Sequence, residues 1–334
     1  MKRRLFFCAW RGVPGVDVGM SSTLYILNPA AGHGRAAGVW ESFKDAAGGK
    51  ISDADCARTS GPGHAAELAE KGAAAGADRL VAVGGDGTFS EMLEGVMRLP
   101  ADRRRALALA ALPAGSGCDL ARHLSYPRNH AEFLAMLERG QRRSLDVGRV
   151  RCLGLDGLPH ERHFVNIAAF GLAGEVAHSI KISGKKFGGT VSYALCSARA
   201  LLTARPLRLR LNADGADLSG SYHMGVLANT TSMGGGMLVA PCAKDDDGAL
   251  DLVLVAGMSR LKLWRNFPRL YRGTHLKEPG ISLREVKVLR AEADVPVYLN
   301  IDGEADGMFP AEFEVLPRAV TVLVARSAGE KKKA

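Results

Sequence analysis

At 334 residues the chain is long enough for two domains, and it needs no disulfide staples to fold. Its net charge of +9 suits a polyanionic partner such as nucleotide phosphates or an anionic membrane surface, but no zinc-finger spacing or aromatic RNA-binding signature accompanies the basic residues, which sets nucleic acid aside. The six cysteines show no C-x-x-C pair, so they read as reduced thiols of a cytoplasmic protein; no apolar run reaches the roughly 18 residues that span a bilayer.

Residues 1–19 read as a leader outside the fold, either a disordered extension or a mis-called start ahead of Met20. Their apolar stretch is broken by Arg11 and Pro14, which argues against a signal peptide. Residues 20–145 then repeat one unit four times: an apolar strand, a glycine-rich turn, a helix. The first strand is Thr23–Leu27, with its turn at Asn28-Pro29 through Gly34 and a helix from about Arg35. A short strand near Cys56, the turn Thr59 to Gly63 and an alanine-rich helix from His64 follow. The third strand, Arg79–Val83, leads into Gly84-Gly85-Asp86-Gly87-Thr88 and a helix through about Arg98. The fourth, Ala106–Leu112, leads into Gly115-Ser116-Gly117 and a helix from Cys118. Short apolar strands alternating with helices predict a parallel sheet covered on both faces, with all four turns at its carboxyl edge.

From about Ser144 the texture changes to strands separated by Asp-Gly turns, at 164–167, 207–212, 224–229, 250–255, 286–289 and 296–301. Ser259 is placed to cap a helix carrying Leu263, Phe267 and Leu270. The fold class is therefore α/β: a parallel-sheet nucleotide-binding domain over 20–145 and a β-rich, sandwich-like domain over 146–326, whose last segment is allowed to return to the first. Residues 327–334 are a tail.

Gly84 and Gly85 remove the β-carbons that would hold a phosphate away from main-chain amides, and the helix behind them offers a partial positive charge. Thr88-Phe-Ser-Glu91 has the form of a capping box, so a plain strand-to-helix turn also explains the loop. Asp86 speaks against that plainer reading. A carboxylate among anion-binding amides makes sense if Mg²⁺ bridges it to phosphate or if it orients a hydroxyl. Asp119 lies in the next helix's first turn, where capping explains it equally well. No G-x-x-x-x-G-K-[ST] occurs, which excludes a P-loop kinase.

In chain order, Asn28-Pro29 with Gly32 and Gly34, Gly84-Gly-Asp-Gly-Thr88, and Gly115-Ser-Gly117-Cys-Asp119-Leu-Ala-Arg122 resemble the diacylglycerol kinase catalytic-domain family, as do Asp146-Val-Gly148, Asn166 with Gly171, Lys186-Phe-Gly188 to Tyr193, Gly234-Gly-Gly236 with Pro241, Asp247-Gly248 and Asp302-Gly303-Glu304. The resemblance implies a relation to sphingosine, ceramide and NAD kinases, and ATP and Mg²⁺ as cofactors. It implies transfer of the γ-phosphoryl group to the hydroxyl of diacylglycerol or a sphingoid or ceramide-like lipid. It places ATP on Asn28, Thr59, Gly84, Gly85, Asp86, Gly87, Thr88, Gly115, Ser116 and Gly117, the general base on Asp302 or Glu304, and a structural magnesium on the loop from Lys244 to Ala249 with Asp247 as the carboxylate. Ser116 and Cys118 stand where the family has threonine and asparagine; serine keeps the hydroxyl donor, while cysteine cannot reproduce asparagine's hydrogen bonds. The partner is then a lipid at a membrane surface, visited transiently from the cytoplasm, and a homodimer is compatible with the sequence. An NAD kinase-like enzyme and a catalytically weak nucleotide-binding regulator are the alternatives.

Overall fold

A computed structural model of the chain describes residues 22–115, 117–183, 196–197 and 199–326. The leader, Ser116, the matched stretch from Lys186 to Tyr193 and the tail lie outside the described residues.

The first four strands are β1 (Thr23–Leu27), β2 (Cys56–Arg58), β3 (Arg79–Gly84) and β4 (Ala108–Pro113). They pair in parallel in the order β4-β3-β1-β2, and the apolar runs of β1, β3 and β4 suit a sheet covered on both faces. Helices α1 (Arg35–Ala46), α2 (His64–Ala74), α3 (Asp86–Met97), α4 (Ala101–Ala106), α5 (Asp119–His123) and α6 (His130–Arg139) accompany them. In α1 the buried residues Ala36, Trp40 and Phe43 fall at helical spacing, and the two rings pack on Tyr25 of β1 with centroids 5.1 and 5.6 Å away. Helix α2 buries only alanines, Ala65, Ala66, Ala69 and Ala73, so α3 comes close enough that a β-carbon on Gly95 would stand 2.0 Å from the Ala66 carbonyl oxygen.

The β-rich half comprises β5 (Gln141–Leu153), β6 (Pro159–Phe164), β7 (Ile167–Gly171), β8 (Leu207–Ala213), β9 (Ala216–Asp217), β10 (Gly220–Ala228), β11 (Leu250–Ala256), β12 (Ile281–Val286), β13 (Val288–Glu292), β14 (Tyr298–Ile301) and β15 (Glu304–Val324). Helices α7 (Leu172–Ser183) and α8 (Arg260–Leu270) belong with it. The pairings β10-β7-β14-β15-β13-β8 close back on β10, enclosing a core that includes Phe170, Leu211, Leu299 and Phe313. Ser259 does cap α8, its hydroxyl accepting the Lys262 N–H.

The structure corrects several local expectations. Two long strands, β5 and β15, were not foreseen, and β5 runs through the boundary expected at 145/146. The strand expected at 164–167 is two strands broken at Val165-Asn166, and that expected at 286–289 straddles the break between β12 and β13 at Lys287. Residue 106 ends α4, and β4 starts at Ala108. Strand β15 pairs antiparallel with β5 along much of its length, then meets β4 in parallel at Thr321 and Val322. Its register shifts between Leu316 and Val320, and the bend is held by Asp146: its carboxylate accepts the Arg318 and Gly248 N–H groups, each at 2.6 Å.

Adding a methyl at Gly95 tests the α2–α3 contact. Overpacking typically costs about 1–3 kcal/mol, against roughly 1 kcal/mol gained from alanine's helix propensity. Because the clash is with backbone atoms, the upper half of that cost applies, and Gly95→Ala should lower unfolding stability in urea by about 1–2 kcal/mol; an unchanged midpoint would mean the helices stand further apart.

Candidate active site

The four loops that follow the parallel strands form one contiguous surface. The Asn28 amide donates to Thr88 Oγ1 (3.2 Å), joining the first loop to the third. A β-carbon on Gly115 would stand 2.5 Å from the Gly85 α-carbon, and one on Gly32 would stand 2.1 Å from the Ala114 carbonyl oxygen, so the third and first loops both touch the fourth. Thr59 sits at the end of the outermost strand, its N–H on the Leu27 carbonyl (2.8 Å), beside the first loop and away from Gly84.

Helix α3 begins two residues before the expected cap. Gly85 is its N-cap and Thr88 lies inside the first turn, so the capping box is not formed; the Thr88 hydroxyl instead faces Gly84 and Asn28. Of the first-turn amides of α3, that of Thr88 is taken by the Gly85 carbonyl (3.1 Å), while those of Asp86 and Gly87 have no partner within the helix. Asp86 turns away from them. Its carboxylate accepts the N–H groups of Asp119 (3.0 Å) and Leu120 (3.1 Å), capping α5 from the neighbouring loop. Burial raises its pKa, the nearby Asp119 charge adds to the rise, and the amides oppose both.

Asp119 is buried and does not cap its own helix. It accepts from the Ser232 hydroxyl (3.2 Å) and the Gly235 N–H (2.8 Å), and pairs with Arg122 at 2.5 Å, so it fastens the Gly234-Gly-Gly236 turn of the β-rich half to the fourth loop. Cys118 holds a left-handed conformation (φ 53, ψ 47), and burial with the Asp86 charge raises its thiol pKa.

Across the cleft lies the Asp302-Gly303-Glu304 turn between β14 and β15. The Asp302 carboxylate is buried and accepts three successive main-chain amides, those of Val165, Asn166 and Ile167, at 2.9–3.0 Å. Burial pushes its carboxyl up to about 7 against the pull of those amides, and the Asp86 charge adds to the rise. Glu304 is exposed and lies against the third loop: a β-carbon on Gly87 would stand 3.3 Å from its Oε1. Asp86, Asp302 and Glu304 thus come from sequence positions over 200 apart to one cleft.

The expected magnesium loop is separate from this cleft. Asp247 is exposed and its carboxylate accepts the Ala249 N–H of its own turn (3.1 Å). Its neighbour Asp245 is buried and paired with Arg143 (2.5 Å) and His123 (3.1 Å), while Asp251, beside Glu285, is raised to about 6, chiefly by burial. Among the described residues no three acidic, histidine or cysteine side chains gather as a metal site.

Three features had no role legible in the sequence, although Asp146 stands in one of the matched motifs. Asp146 is fully buried at the junction of the halves, and the Asn229 amide spans the carbonyls of Asp146 and Val165. Glu94 of α3 binds Arg162 (2.8 Å) and His163 (3.0 Å), and Arg162 in turn binds Asp306, tying the third-loop helix to β6 and β15.

Residues 22–150 match the diacylglycerol kinase catalytic domain, and residues 167–324 match the YegS C-terminal NAD kinase beta sandwich-like domain. The chain belongs to the diacylglycerol kinase catalytic-domain family. It is a kinase, a phosphotransferase with an alcohol group as acceptor. The diacylglycerol kinase of Bacillus subtilis is 28% identical over 270 residues, covering 80% of this chain and 85% of that one. That of Staphylococcus aureus is 29% identical over 245 residues, 73% and 74% of the two chains. A solved diacylglycerol kinase from Bacillus anthracis superimposes with a TM-score of 0.70 at 23% identity, over 91% of this chain and 97% of that one, a likeness of fold.

Asparagine tolerates the left-handed region far better than cysteine, for which it costs roughly 1–2 kcal/mol. Cys118→Asn should therefore stabilise the kinase by about 0.5–1 kcal/mol in thermal or urea unfolding. A destabilised variant would show that the buried thiol's packing outweighs the backbone strain.

Proposed function

We propose that this kinase transfers the γ-phosphoryl group of ATP to the hydroxyl of a lipid, diacylglycerol or a sphingoid or ceramide-like acceptor. The observation that carries this reading is the placement of the Asp302-Gly303-Glu304 turn against Gly87, which sets carboxylates opposite a loop built for phosphate. The nucleotide phosphates take the first-turn amides of α3 and the surface around Asn28, Gly84, Gly85, Gly87, Thr88, Gly115 and Gly117, with Thr59 at the margin; Ser116 completes the set from outside the described residues.

Asp302 takes the proton of the acceptor hydroxyl as its oxygen bonds to the γ-phosphorus and the bond to the leaving ADP oxygen breaks. A carboxyl raised to about 7 is matched to that task near neutral pH. Glu304, exposed beside Gly87, orients the hydroxyl. Asp86 holds the third and fourth loops in register through the α5 amides. A cleft with three carboxylates repels an uncomplexed polyphosphate, a charge that Mg²⁺ bound to the nucleotide would neutralise. A second, structural Mg²⁺ is assigned to Asp247 with the carbonyls of Lys244 and Ala249.

The lipid part of the reading rests on an apolar cavity of about 100 Å³ in the β-rich half, lined by residues including Leu172, Val176, Leu201, Met233, Met237 and Phe267. Met233 and Met237 bond to each other through both main-chain pairs at 3.0 Å. The glycines between them reach Asp119. One loop therefore forms a wall of the cavity and an anchor on the nucleotide side. The NAD kinase-like alternative draws on the shared β-sandwich description of the second half.

Purified protein with Mg²⁺ and labelled ATP should phosphorylate at least one of diacylglycerol, monoacylglycerol, ceramide or a sphingoid base. Label on NAD and on no lipid would overturn the reading. Asp302→Asn should lower kcat by about 10²-fold or more, the lower end of a general base's contribution, and Glu304→Gln should lower it less, each with little change in ATP binding. Asp86→Asn should lower activity sharply; normal turnover would reduce the loop to a structural turn.

The pH dependence follows from the same group. Activity requires ionised Asp302, so kcat/KM should rise with pH and level off above about 7. Stability should move the other way. The folded pKa lies above the unfolded one, so the folded state holds a proton that the unfolded chain has lost; this contribution is complete below about 4 and disappears as pH rises through about 7. Asp302→Asn should flatten that slope between pH 4 and 7 in urea titrations, and an unaltered slope would reassign it to another group.

A further inference from the structure

Helix α8 is apolar on two opposite sides. Its inner side carries Leu263, Phe267 and Leu270, which line the apolar cavity. Its outer side carries Leu261 (71% exposed) and Trp264 (39%), with Tyr271 (52%) just beyond the last turn. Positions 261, 264, 268 and 271 follow the three- and four-residue spacing of a single stripe, with Pro268 the fourth member. A surface helix ordinarily turns charged residues away from the core. Here large apolar side chains point to solvent, and the charges flank them.

Those charges have one sign. No acidic residue occurs between Met258 and Lys277, while Arg260, Lys262, Arg265, Arg269, Arg272 and Lys277 do. Glu278 meets Arg269 at 2.6 Å and Lys262 at 3.9 Å, on the side away from the stripe's centre. Arg265 and Arg272 are exposed next to Trp264 and Tyr271. The neighbouring helical stretch over 199–203 continues the pattern: Leu201 lines the cavity, Leu202 is 59% exposed, and the Ala204 carbonyl accepts Arg260 Nε (3.3 Å).

We propose that the outer stripe of α8 is the surface by which this kinase docks on an anionic bilayer. Leu261, Trp264 and Tyr271 enter the interfacial layer, and Arg265 and Arg272 meet anionic headgroups. Aromatic and leucine side chains between arginines are what an interfacial helix needs. A second copy of the chain fits less well, because two-fold pairing through this stripe brings the Arg265 and Arg272 charges of both copies together. The position adds a reason. The cavity assigned to the acyl chain lies directly beneath α8, so a lipid leaving the bilayer at the stripe enters the protein without crossing water. That last step rests on the acceptor being a lipid; the docking itself does not.

The test is co-sedimentation of the full chain with phosphatidylcholine vesicles and with mixed phosphatidylcholine–phosphatidylglycerol vesicles. The native chain should bind the mixed vesicles in preference, and added salt should weaken that binding. The Leu261→Ser, Trp264→Ser double variant should bind roughly tenfold or more weakly, since two interfacial anchors are removed. Arg265→Glu with Arg272→Glu should abolish the preference for phosphatidylglycerol. All variants should phosphorylate detergent-dispersed lipid as the native chain does, because none of these residues lies in the catalytic cleft. Native-like vesicle binding by both variants overturns the docking surface, as does a stripe substitution that changes the sedimentation coefficient of the free protein, which would assign the stripe to self-association. Failure of every lipid as an acceptor, with vesicle binding intact, overturns the lipid reading and leaves the docking surface standing.

Discussion

Both carboxylate oxygens of Asp302 are held by the amides of one tripeptide, Val165 to Ile167, and the geometry of the cleft follows from that clamp. It interrupts what would otherwise be continuous strand between β6 and β7. It also fixes the turn in which Asp302 itself adopts a left-handed conformation (φ 47). Hydrogen bonds to a charged acceptor each contribute about 1.5–3 kcal/mol, while removing a carboxylate from water costs several. The amides offset only part of the cost of burying the ionised form, which is why the group settles near 7 and not near 4. A carboxylate in such balance changes state with a modest change in its surroundings, such as the arrival of a cation or of a hydroxyl with a proton to give.

The same device recurs at the other junctions. Asp86 accepts amides of α5, Asp119 accepts the Gly235 amide, and Asp146 accepts those of Gly248 and Arg318. In each case a buried carboxylate gathers N–H groups from a segment distant in sequence, and only Asp119 among them has a guanidinium partner, Arg122. Amide donors are fixed by the backbone, so they set position more tightly than a lysine on a flexible stem. Negative charge accumulates, since Asp86 raises Asp302 and Asp119 raises Asp86. The cleft is therefore rigid and unfavourable to bare phosphate, which a metal-complexed nucleotide would relieve.

What the sequence showed and hid follows from range. The parallel strands, their order of appearance and the four glycine turns are local patterns, and each appears within a few residues of where it was expected. Thr88 misled because S/T-x-x-E is also local; the helix starts earlier, where the close approach of Gly85 to Gly115 admits no side chain, and the Thr88 hydroxyl is claimed by Asn28, 60 residues away. Strand β5 was hidden by charge: it opens on Arg142 and Arg143, and Arg149 and Arg151 alternate with buried residues after the buried stretch from Leu145 to Gly148, so it does not read as an apolar run. Strand β15 was hidden by its bend at Pro317-Arg318. Asp119 could be read only as a cap, because Ser232 and Gly235 are more than a hundred residues away. Asp146 appeared among the family matches but with no role, since Arg318 and Gly248 are invisible from its own neighbourhood.

The lipid acceptor has a different physical basis from the phosphoryl chemistry. Carboxylates opposite a glycine loop suit any alcohol, and nothing in the cleft selects a lipid. Selection has to come from apolar surface, and the β-rich half offers it in two places separated by one helix thickness: the cavity under α8 and the stripe on top of it. The Met233–Met237 loop joins the cavity to Asp119, so occupancy of the cavity and the position of the fourth nucleotide loop share a connection. Methionine side chains repack at little cost, which suits a wall that must yield to an acyl chain, while the glycine tip is held by a charged hydrogen bond that does not. A chain entering the cavity would therefore displace the methionines first and transmit the remainder to the tip. On that basis the apolar half both recruits the acceptor and orders the loop that faces the donor.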